Sequence, residues 1–194
     1  MHERRFHHSQ AHRLDAPERL TWLPPDEVVQ ALEVRAGEAI ADVGAGTGYF
    51  ALPLSKAVGA GGVVFAVDAQ REMLELLRGK LAEAGENNIR LIHAEADATG
   101  LPESTCDLVF LANIWHEFEN RALVLEEAHR ILKPDGRIAI LDWRPDVERE
   151  AGPPLEHRIS AECAEEELAE AGFKDVNRNN TGRYSWLVQG KKLP

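Results

Sequence analysis

Three glycines at alternate positions in the stretch ADVGAGTGYF mark a place where a ligand could approach the backbone. Gly44, Gly46 and Gly48 follow a short apolar run that contains Asp42. Glycine has no Cβ and permits close approach, and free N–H groups where a strand gives way to a helix can bind a ligand. Glycines at such a turn can also be purely geometric, so this loop alone leaves both interpretations open.

Two further aspartates follow later apolar runs. Asp68 ends VVFAVD, 20 residues after Gly48, where an acid commonly accepts hydrogen bonds from ribose hydroxyls. Asp97, in HAEADATGLP, follows the next run, and a carboxylate there can make a charge-assisted bond to an exocyclic amine such as that of adenine. Each could instead cap a helix or be a solvated loop acid. Together with the glycines they predict an adenosine site.

The spacing of the glycines separates two kinds of adenosine ligand. A nicotinamide-dinucleotide loop has the pattern G-x-G-x-x-G, whereas here the third glycine comes one residue early and Tyr49 stands at the last glycine position. A bulky residue there obstructs the close helix packing of dinucleotide enzymes, and DVGAGTGYF contains no Lys or Arg for a phosphate. The pattern favours an adenosine without a phosphate chain and leaves an NAD oxidoreductase as the alternative.

One histidine lies where it could act on a bound substrate. His116, in NIWHEF, follows the fourth apolar run, and an imidazole titrates near neutral pH, so it can take a proton from a hydroxyl or an amine. A loop histidine bonded to the backbone is the structural alternative. The cluster His7, His8 and His12 lacks the spacing of a zinc site, and no metal is predicted.

Five apolar runs of strand length must position these residues. They are AIADV, VVFAV, IRLIHA, DLVFLAN and RIAILDW, and stretches with helical spacing separate them. This alternation predicts an α/β fold with a mostly parallel, doubly wound sheet and helices on both faces. A first helix is predicted to begin with Asp26 as its N-cap, and a late helix to end at Gly172. A polar connection then leads to a last strand in RYSWLVQGKK.

Composition narrows the function classes. The chain has 194 residues and a formal net charge of −11, which suits one domain and disfavours a nucleic-acid partner. No window approaches the roughly 20 apolar residues of a membrane span, and the first residues lack the apolar core of a secretory signal. The two cysteines stand in unrelated contexts, which favours reduced thiols and a cytoplasmic location.

The motifs, in their order, resemble those of class I S-adenosylmethionine-dependent methyltransferases of the small type related to the ubiquinone/menaquinone-biosynthesis C-methyltransferases. DVGAGTGYF is similar to the first family motif, VDAQREML to the second, and ADATGLPESTCDLVFLANIWHEF to the third and fourth. EEAHRILKPDGRIAILDW resembles the helix, turn and fifth strand that follow, and AEEELAEAGF the late helix. The resemblance covers about residues 26–190 and implies a Rossmann-like sheet with an antiparallel last strand.

The resemblance also implies a site for S-adenosylmethionine and a small-molecule methyl acceptor. Glycines 44, 46 and 48 would line the methionine part, Asp42 would brace the loop, Asp68 would hold the ribose and Asp97 the adenine amine. The implied cofactor-binding set is Asp42, Gly44, Ala45, Gly46, Gly48, Tyr49, Asp68, Ala69, Asp97, Ala98 and Asn113, with His116 as the candidate catalytic residue. A module that binds the cofactor without catalysis, as a partner subunit, remains a further alternative.

Two segments outside the motifs are predicted to cover this site. Residues 1–25 are predicted to form an N-terminal lid on a methyltransferase domain of residues 26–194, with His12 and Arg19 as surface residues able to reach the acceptor. Its apolar docking residues would be Phe6, Leu14, Leu20, Trp22 and Leu23. WRPDVEREAGPPLEHRIS, after the fifth strand, is predicted to roof the acceptor pocket. The identity of the acceptor, the atom methylated and homo-oligomerisation stay open.

Overall fold

A seven-stranded sheet forms the centre of the molecule in the computed structural model, which describes residues 5–148 and 152–194. The strands are β1 (Ala39–Val43), β2 (Val63–Asp68), β3 (Ile89–His93), β4 (Cys106–Ala112), β5 (Leu132–Trp143), β6 (Lys174–Asn180) and β7 (Ser185–Lys191). The helices are α1 (Arg19–Trp22), α2 (Pro25–Ala31), α3 (Ala51–Val58), α4 (Arg71–Ala84), α5 (Arg121–Ile131) and α6 (Ala161–Glu170). Short 3₁₀ helices span His8–Arg13, Trp115–Glu117 and Leu155–His157.

The strand order confirms the predicted fold class. The order is β3-β2-β1-β4-β5-β7-β6; β1 to β5 pair in parallel, and β7, the last strand, runs antiparallel to both β5 and β6. The chain runs outward from β1 to β2 and β3 and then returns to place β4 on the other side of β1. The carboxyl ends of β1 and β4 therefore flank a crevice where ligands bind in such sheets.

Helices cover both faces of the sheet, which explains the unbroken apolar runs. Along β1, Ile40 packs with α2, α3 and α4, whereas Ala41 and Val43 pack with α5 and α6 on the opposite face. Strands buried on both faces read as continuous hydrophobic stretches. No helix within the described residues combines the length and the apolar composition needed to cross a membrane.

Two local predictions were wrong. Helix α2 begins at Pro25 with Pro24 as its N-cap, so Asp26 lies in the first turn instead of capping it; proline suits the first helical position because its missing N–H would lack a partner there anyway. Residues 174–180, predicted as a polar connection, form strand β6. An edge strand can be polar because one side faces water, and its charges discourage further pairing.

The N-terminal segment packs along the domain. Leu23 is fully buried, and the Asp15 carboxylate accepts hydrogen bonds from Thr47 Oγ1 at 2.8 Å and Lys80 Nζ at 2.6 Å. Leu20 was predicted to dock but is 54% exposed, because the short α1 turns it away from the core. Docking of the segment therefore depends on polar contacts as well as on apolar burial.

Gly48 fits against helix α4. Its φ is +86°, and a Cβ placed on it would lie 2.3 Å from Cδ1 of Leu77. Leu77 is fully buried in the core, so its side chain has little space to move aside. The third glycine of the motif is therefore required by helix packing, a role that its spacing alone did not reveal.

We expect Gly48→Ala to destabilise the protein more than Gly85→Ala does. Both glycines have positive φ, but a Cβ at Gly85 would meet nothing within 4 Å, so only the Gly48 variant adds overpacking. The difference in free energy of unfolding should be about 1–3 kcal/mol, measured by urea denaturation. The packing role would be contradicted if Gly48→Ala and Gly85→Ala lowered the free energy of unfolding equally. It would also be contradicted if Gly48→Ala cost as much in a Leu77→Ala background as in the wild type.

Candidate functional site

A cavity of about 620 Å³ lies at the carboxyl ends of the parallel strands. Its floor includes Asp42 from the end of β1, Asp68 from the end of β2 and Ala112 from the end of β4. The N-terminal segment and residues 152–157 also contribute to the wall. The volume is within the range of about 300–1,000 Å³ typical of small-molecule and cofactor sites.

The glycine loop forms one wall of this cavity. Gly44, Ala45, Gly46 and Tyr49 line it, whereas Gly48 is absent from the lining residues. At Gly44 φ is +74° and a Cβ would lie 2.5 Å from Cδ1 of Ile114, so a larger residue cannot occupy this position without displacing that side chain. At Gly44 the loop therefore has only backbone atoms to present to the cavity.

Asp68 holds the loop in place. Its Oδ2 accepts a hydrogen bond from Gly46 N and its Oδ1 one from Gln70 N, each at 2.8 Å. Burial raises the pKa of the Asp68 carboxyl above its ordinary value, and these two hydrogen bonds limit the rise. A carboxylate offers about four lone-pair positions, so Asp68 retains capacity for two more donors. Ala69, the next residue, also lines the cavity.

Asp42 is a buried acid without a full set of partners. It is 2% exposed, and its Oδ2 has no hydrogen-bond partner among the described residues. Burial, reinforced by the charge of Asp68, raises the pKa of Asp42 to about 7, although Arg19 opposes the shift. Such an orphaned acceptor in a cavity wall is suited to a ligand that carries hydrogen-bond donors or positive charge.

Asn113, directly after β4, is a second polar side chain of the cavity wall whose hydrogen-bonding capacity is unused among the described residues. It lines the cavity, and both its amide nitrogen and its amide oxygen are buried without a hydrogen-bond partner in the described part of the chain. Its backbone is left-handed, with φ of +58°, a strained conformation that tends to be kept at binding sites. One donor and one acceptor therefore face a ligand from this position.

Asp97 and Ala98 are placed differently from what the sequence led us to expect. Both are exposed, and the residues lining the cavity do not include them. Ala98 N donates to Glu95 O at 3.2 Å, and this tight turn leaves Glu95 and Ala96 as the lining residues. The structure thus does not bring Asp97 together with Asp68 and the glycine loop.

Arg19 was predicted to be a surface residue able to reach the acceptor pocket, and in the structure it is a buried residue of the cavity wall. It is 7% exposed, lines the cavity, and stacks its guanidinium 3.9 Å from the ring centre of Tyr49. Its Nη1 donates to Leu14 O at 3.0 Å. His12, paired with Arg19 in that prediction, is exposed and does not line the cavity. Arg19 differs from His12 in its tertiary contact with Tyr49, 30 residues away, and no local pattern in the sequence indicates that contact.

His116 lies between two carboxylates. Its Nδ1 is 2.9 Å from Oδ1 of Asp142, its backbone N donates to Oδ2 at 2.9 Å, and its Nε2 is 4.0 Å from Oε1 of Glu117. Burial alone would lower the pKa of His116, but the charge of Asp142 and the hydrogen bond to it, with the charge of Glu117, raise it above its ordinary value. Burial raises the pKa of Glu117 to about 7.

The segment after β5, which was predicted to roof the acceptor pocket, contributes residues to the cavity wall. Trp143, Gly152 and His157 are among the lining residues, and residues 149–151 of the segment lie outside the described ranges. Arg158 fastens it, since its Nη1 donates to Arg144 O at 3.0 Å and to Val147 O at 2.8 Å.

An N-terminal arm, residues 5–8, crosses the cavity from one side to the other. Phe6 N donates to Glu117 Oε1 at 3.2 Å, and Phe6 O accepts from Gln70 Nε2 at 2.8 Å. His8 N donates to Gln70 Oε1 at 2.9 Å, and Arg5 Nη2 to Glu95 Oε2 at 2.8 Å. The arm is thus bonded to residues that follow three different strands. Within the described ranges, no group of three or more His, Cys, Asp or Glu side chains is arranged to hold a metal ion.

Comparison with known proteins agrees with this geometry. A family model described as "Methyltransferase domain" matches residues 41–140. The ubiquinone/menaquinone biosynthesis C-methyltransferase UbiE of Marinomonas sp. (strain MWYL1) is 33% identical over 117 residues, which are 59% of this chain and 47% of that protein. The demethylmenaquinone methyltransferase of Shouchella clausii is 35% identical over 116 residues, which are 60% of this chain and 49% of that protein.

The chain spans about half the length of the curated relatives it matches. A solved structure provides a full-length comparison: the SAM-dependent methyltransferase from Aquifex aeolicus is 33% identical, with a TM-score of 0.91 over 97% of this chain and 100% of that one.

We expect the protein without ligand to lose stability as pH rises through the titration of Asp42. The pKa of its carboxyl is about 7 in the folded state, against an ordinary 3.8, so the folded state holds its proton longer. The free energy of unfolding therefore falls between about pH 4 and 7, and Asp42→Asn should remove on the order of 2–4 kcal/mol of this loss.

Urea denaturation of the wild type and Asp42→Asn at pH 5 and pH 8 measures the effect. Glu83→Gln, which removes an exposed acid on α4, is the matched control and should leave the pH dependence unchanged. A pH dependence in Asp42→Asn equal to that of the wild type would mean that Asp42 is not the group that titrates.

Proposed function

Since the chain belongs to the S-adenosylmethionine-dependent methyltransferase family, we propose that it binds S-adenosylmethionine at the carboxyl edge of its sheet and transfers the methyl group to a small-molecule acceptor. The observation that carries the proposal is the set of orphaned polar atoms around the glycine loop. Asp42 Oδ2 and the amide of Asn113 are buried in the cavity wall and have no hydrogen-bond partner within residues 5–148 and 152–194. Each such group costs about 1–3 kcal/mol unless a ligand satisfies it.

The residues present fit the cofactor. Asp68 has two lone-pair positions left for the ribose hydroxyls, after its bonds to the loop and to Gln70. The orphaned groups of Asp42 and Asn113 suit the amine and carboxylate of the methionine part, and the Arg19 guanidinium, which lines the same cavity, suits the carboxylate. The adenine contact predicted for Asp97 would need a shift of its exposed loop.

S-adenosylmethionine supplies a methyl group on a positively charged sulfur, and this charge disappears as the methyl leaves. The protein then contributes mainly alignment and the exclusion of water, and alignment alone can be worth roughly 7–11 kcal/mol of the barrier. The arm and residues 152–157 flank the cavity that must exclude water. Their role in catalysis would be to hold the acceptor in line with the methyl group.

The acceptor is proposed only as a small organic molecule. Phe6, Trp22, Phe118 and Trp143 contribute aromatic surface to the cavity, which favours a planar acceptor. The names of the curated relatives place them in ubiquinone and menaquinone biosynthesis, but the match covers only about half of each of those proteins. A screen of cell metabolites with methyl-labelled S-adenosylmethionine identifies the acceptor and distinguishes an active enzyme from a cofactor-binding partner subunit.

Calorimetry with three ligands tests the proposal. S-adenosylmethionine and S-adenosylhomocysteine should bind, because both carry the ribose and methionine groups that the cavity satisfies. NAD should not bind, since Tyr49 stands where its loop needs glycine and no cation in that loop faces a pyrophosphate. Binding of NAD without binding of either sulfur compound would contradict the proposal and favour an oxidoreductase.

Replacing Asp68 in the same assay tests the placement of the ribose. Asp68→Asn keeps the shape of the side chain but removes the charge, so S-adenosylhomocysteine should bind more weakly by about 1.5 kcal/mol or more. Glu95→Gln, at the second acid lining this side of the cavity, is the control and should have a smaller effect. An unchanged dissociation constant for Asp68→Asn would show that the ribose lies elsewhere.

The N-terminal segment is proposed to be a lid that closes over the bound cofactor. The arm is bonded to Gln70, Glu95 and Glu117, and a ligand in the cavity would add contacts that hold the segment closed. We therefore expect trypsin to cleave after Arg13 faster in the free protein than with S-adenosylhomocysteine. Gln70→Ala removes the contacts to Phe6 and His8 and should abolish most of this protection. Gln30→Ala, at an exposed position on α2, is the matched control. Cleavage at the same rate with and without ligand would mean that the segment is not a lid.

A further inference from the structure

We propose, on the basis of the proposed function, that Asp142 is a positioning residue that makes Nε2 of His116 the atom that accepts a proton from the methyl acceptor. The acceptor would then be a compound that must give up a proton to react, such as a hydroxyl compound or a carbon acid. Thiolates and tertiary amines, which already offer a lone pair, would not need this device.

The hydrogen bonds around Asp142 determine which histidine nitrogen carries the proton. Asp142 is fully buried; Oδ2 accepts from His116 N at 2.9 Å and Oδ1 from Trp143 N at 2.7 Å. An ionised carboxylate only accepts hydrogen bonds, so His116 Nδ1, 2.9 Å and 3.0 Å from the two oxygens, must be the donor. Neutral His116 is therefore protonated on Nδ1, and Nε2 keeps its lone pair.

Nε2 is available for a substrate. Among the described residues it makes no hydrogen bond, and the Glu117 carboxylate is 4.0 Å away. His116 lines the same cavity as Asn113 and the glycine loop, which places the imidazole next to the proposed methionine site. A base needs to be within hydrogen-bond reach of the proton it removes, and an acceptor bound against this part of the wall would meet that condition.

The charged groups around the ring favour the protonated form. Asp142 from β5 and Glu117 from the same 3₁₀ helix both stabilise an imidazolium, while Arg158 from the segment after β5 opposes it. The positive charge of Arg5, in the arm, interacts with the carboxylate of Glu117. The arm therefore offsets part of the negative charge on the Glu117 side of the imidazole. A histidine that has taken a proton from the acceptor would therefore be stabilised where it stands.

The chemical step balances with groups already named. The acceptor X–H gives its proton to Nε2, whose lone pair forms the new N–H bond. The electron pair left on X forms the bond to the methyl carbon, and the carbon–sulfur bond breaks with its electrons going to sulfur, which becomes neutral. The proton then passes from Nε2 to water, so that one proton is released for each methyl group transferred.

A purely structural role for Asp142 has to be separated from this one, because its bonds to His116 N and Trp143 N also brace the turn after β4. Bracing alone predicts a pH-independent loss of activity in Asp142→Asn. Positioning predicts instead a loss of about 100-fold that becomes smaller as pH rises, since an acceptor that is already ionised no longer needs the base.

Nitrogen NMR of the full chain labelled in its histidines gives the first test without an acceptor. We expect neutral His116, assigned by the signal missing in His116→Gln, to carry its proton on Nδ1 in the wild type. Its pKa should fall by at least one unit in Asp142→Asn and should not change in Asp146→Asn, where an exposed aspartate nearby is replaced. A wild-type spectrum with the proton on Nε2 overturns the proposal even if Asp142→Asn does not fold.

The acceptor class is tested with labelled S-adenosylmethionine and a panel of phenols, 1,3-diketones, thiols and tertiary amines. Label in a phenol or a diketone, with the pH-dependent loss in Asp142→Asn, supports the proposal. Label only in thiols or amines, or in no member of the panel, counts against it. Calorimetry separates the proposed function from the role of His116. The dissociation constant of S-adenosylhomocysteine for His116→Gln should lie within threefold of that for the wild type. If S-adenosylhomocysteine does not bind the wild type, the proposed function is overturned, but the position of the proton on His116 measured by NMR still stands.

Discussion

Burial of both faces of the parallel sheet confines its polar chemistry to the strand ends. The middle of β1 and β4 is in contact with helices on either side, so no charged side chain can be placed there without a large desolvation cost. Asp42, Asp68, Asn113 and Asp142 all lie at or beside the carboxyl end of a strand. Because parallel strands end at the same edge, a single constraint brings residues that are far apart in sequence into one cavity.

The site is built at a cost in stability. Asp42 and Asn113 have buried polar atoms without a hydrogen-bond partner in the part of the chain that the structure describes, and the left-handed backbone of Asn113 adds strain. The fold tolerates these groups because the core on both sides of the sheet is continuous, with Leu77, Phe110 and Trp186 among its fully buried side chains. This is the usual relation between a rigid scaffold and a strained, unsatisfied binding site.

The sequence predicted what local pattern and strand order determine. The five apolar runs became β1 to β5 because burial on both faces leaves a clear signal, and Asp68 was found because it ends one of them. Arg19 was predicted to be able to reach the pocket and lines the cavity, but its burial was missed because its stacking on Tyr49 is a tertiary contact without local pattern. Strand β6 was missed because an exposed edge strand needs no apolar residues. Asp97 was wrongly expected in the cavity because no sequence pattern indicates the turn from Glu95 to Ala98 that holds it outside.

The backbone of Asn113 limits how the site can change during evolution. Few residues besides glycine, asparagine and aspartate accept a φ of +58°. Glycine would delete the amide, and aspartate would add one more carboxylate to a cavity wall that already contains several acids, Asp42 and Asp68 among them. The floor of the site is therefore restricted to very few alternatives, whereas the arm and residues 153–157 are free of this backbone restriction. Proteins that evolve from this chain could therefore change their methyl acceptor by mutation of the arm and residues 153–157, while the residues at the strand ends that form the proposed cofactor site stay the same.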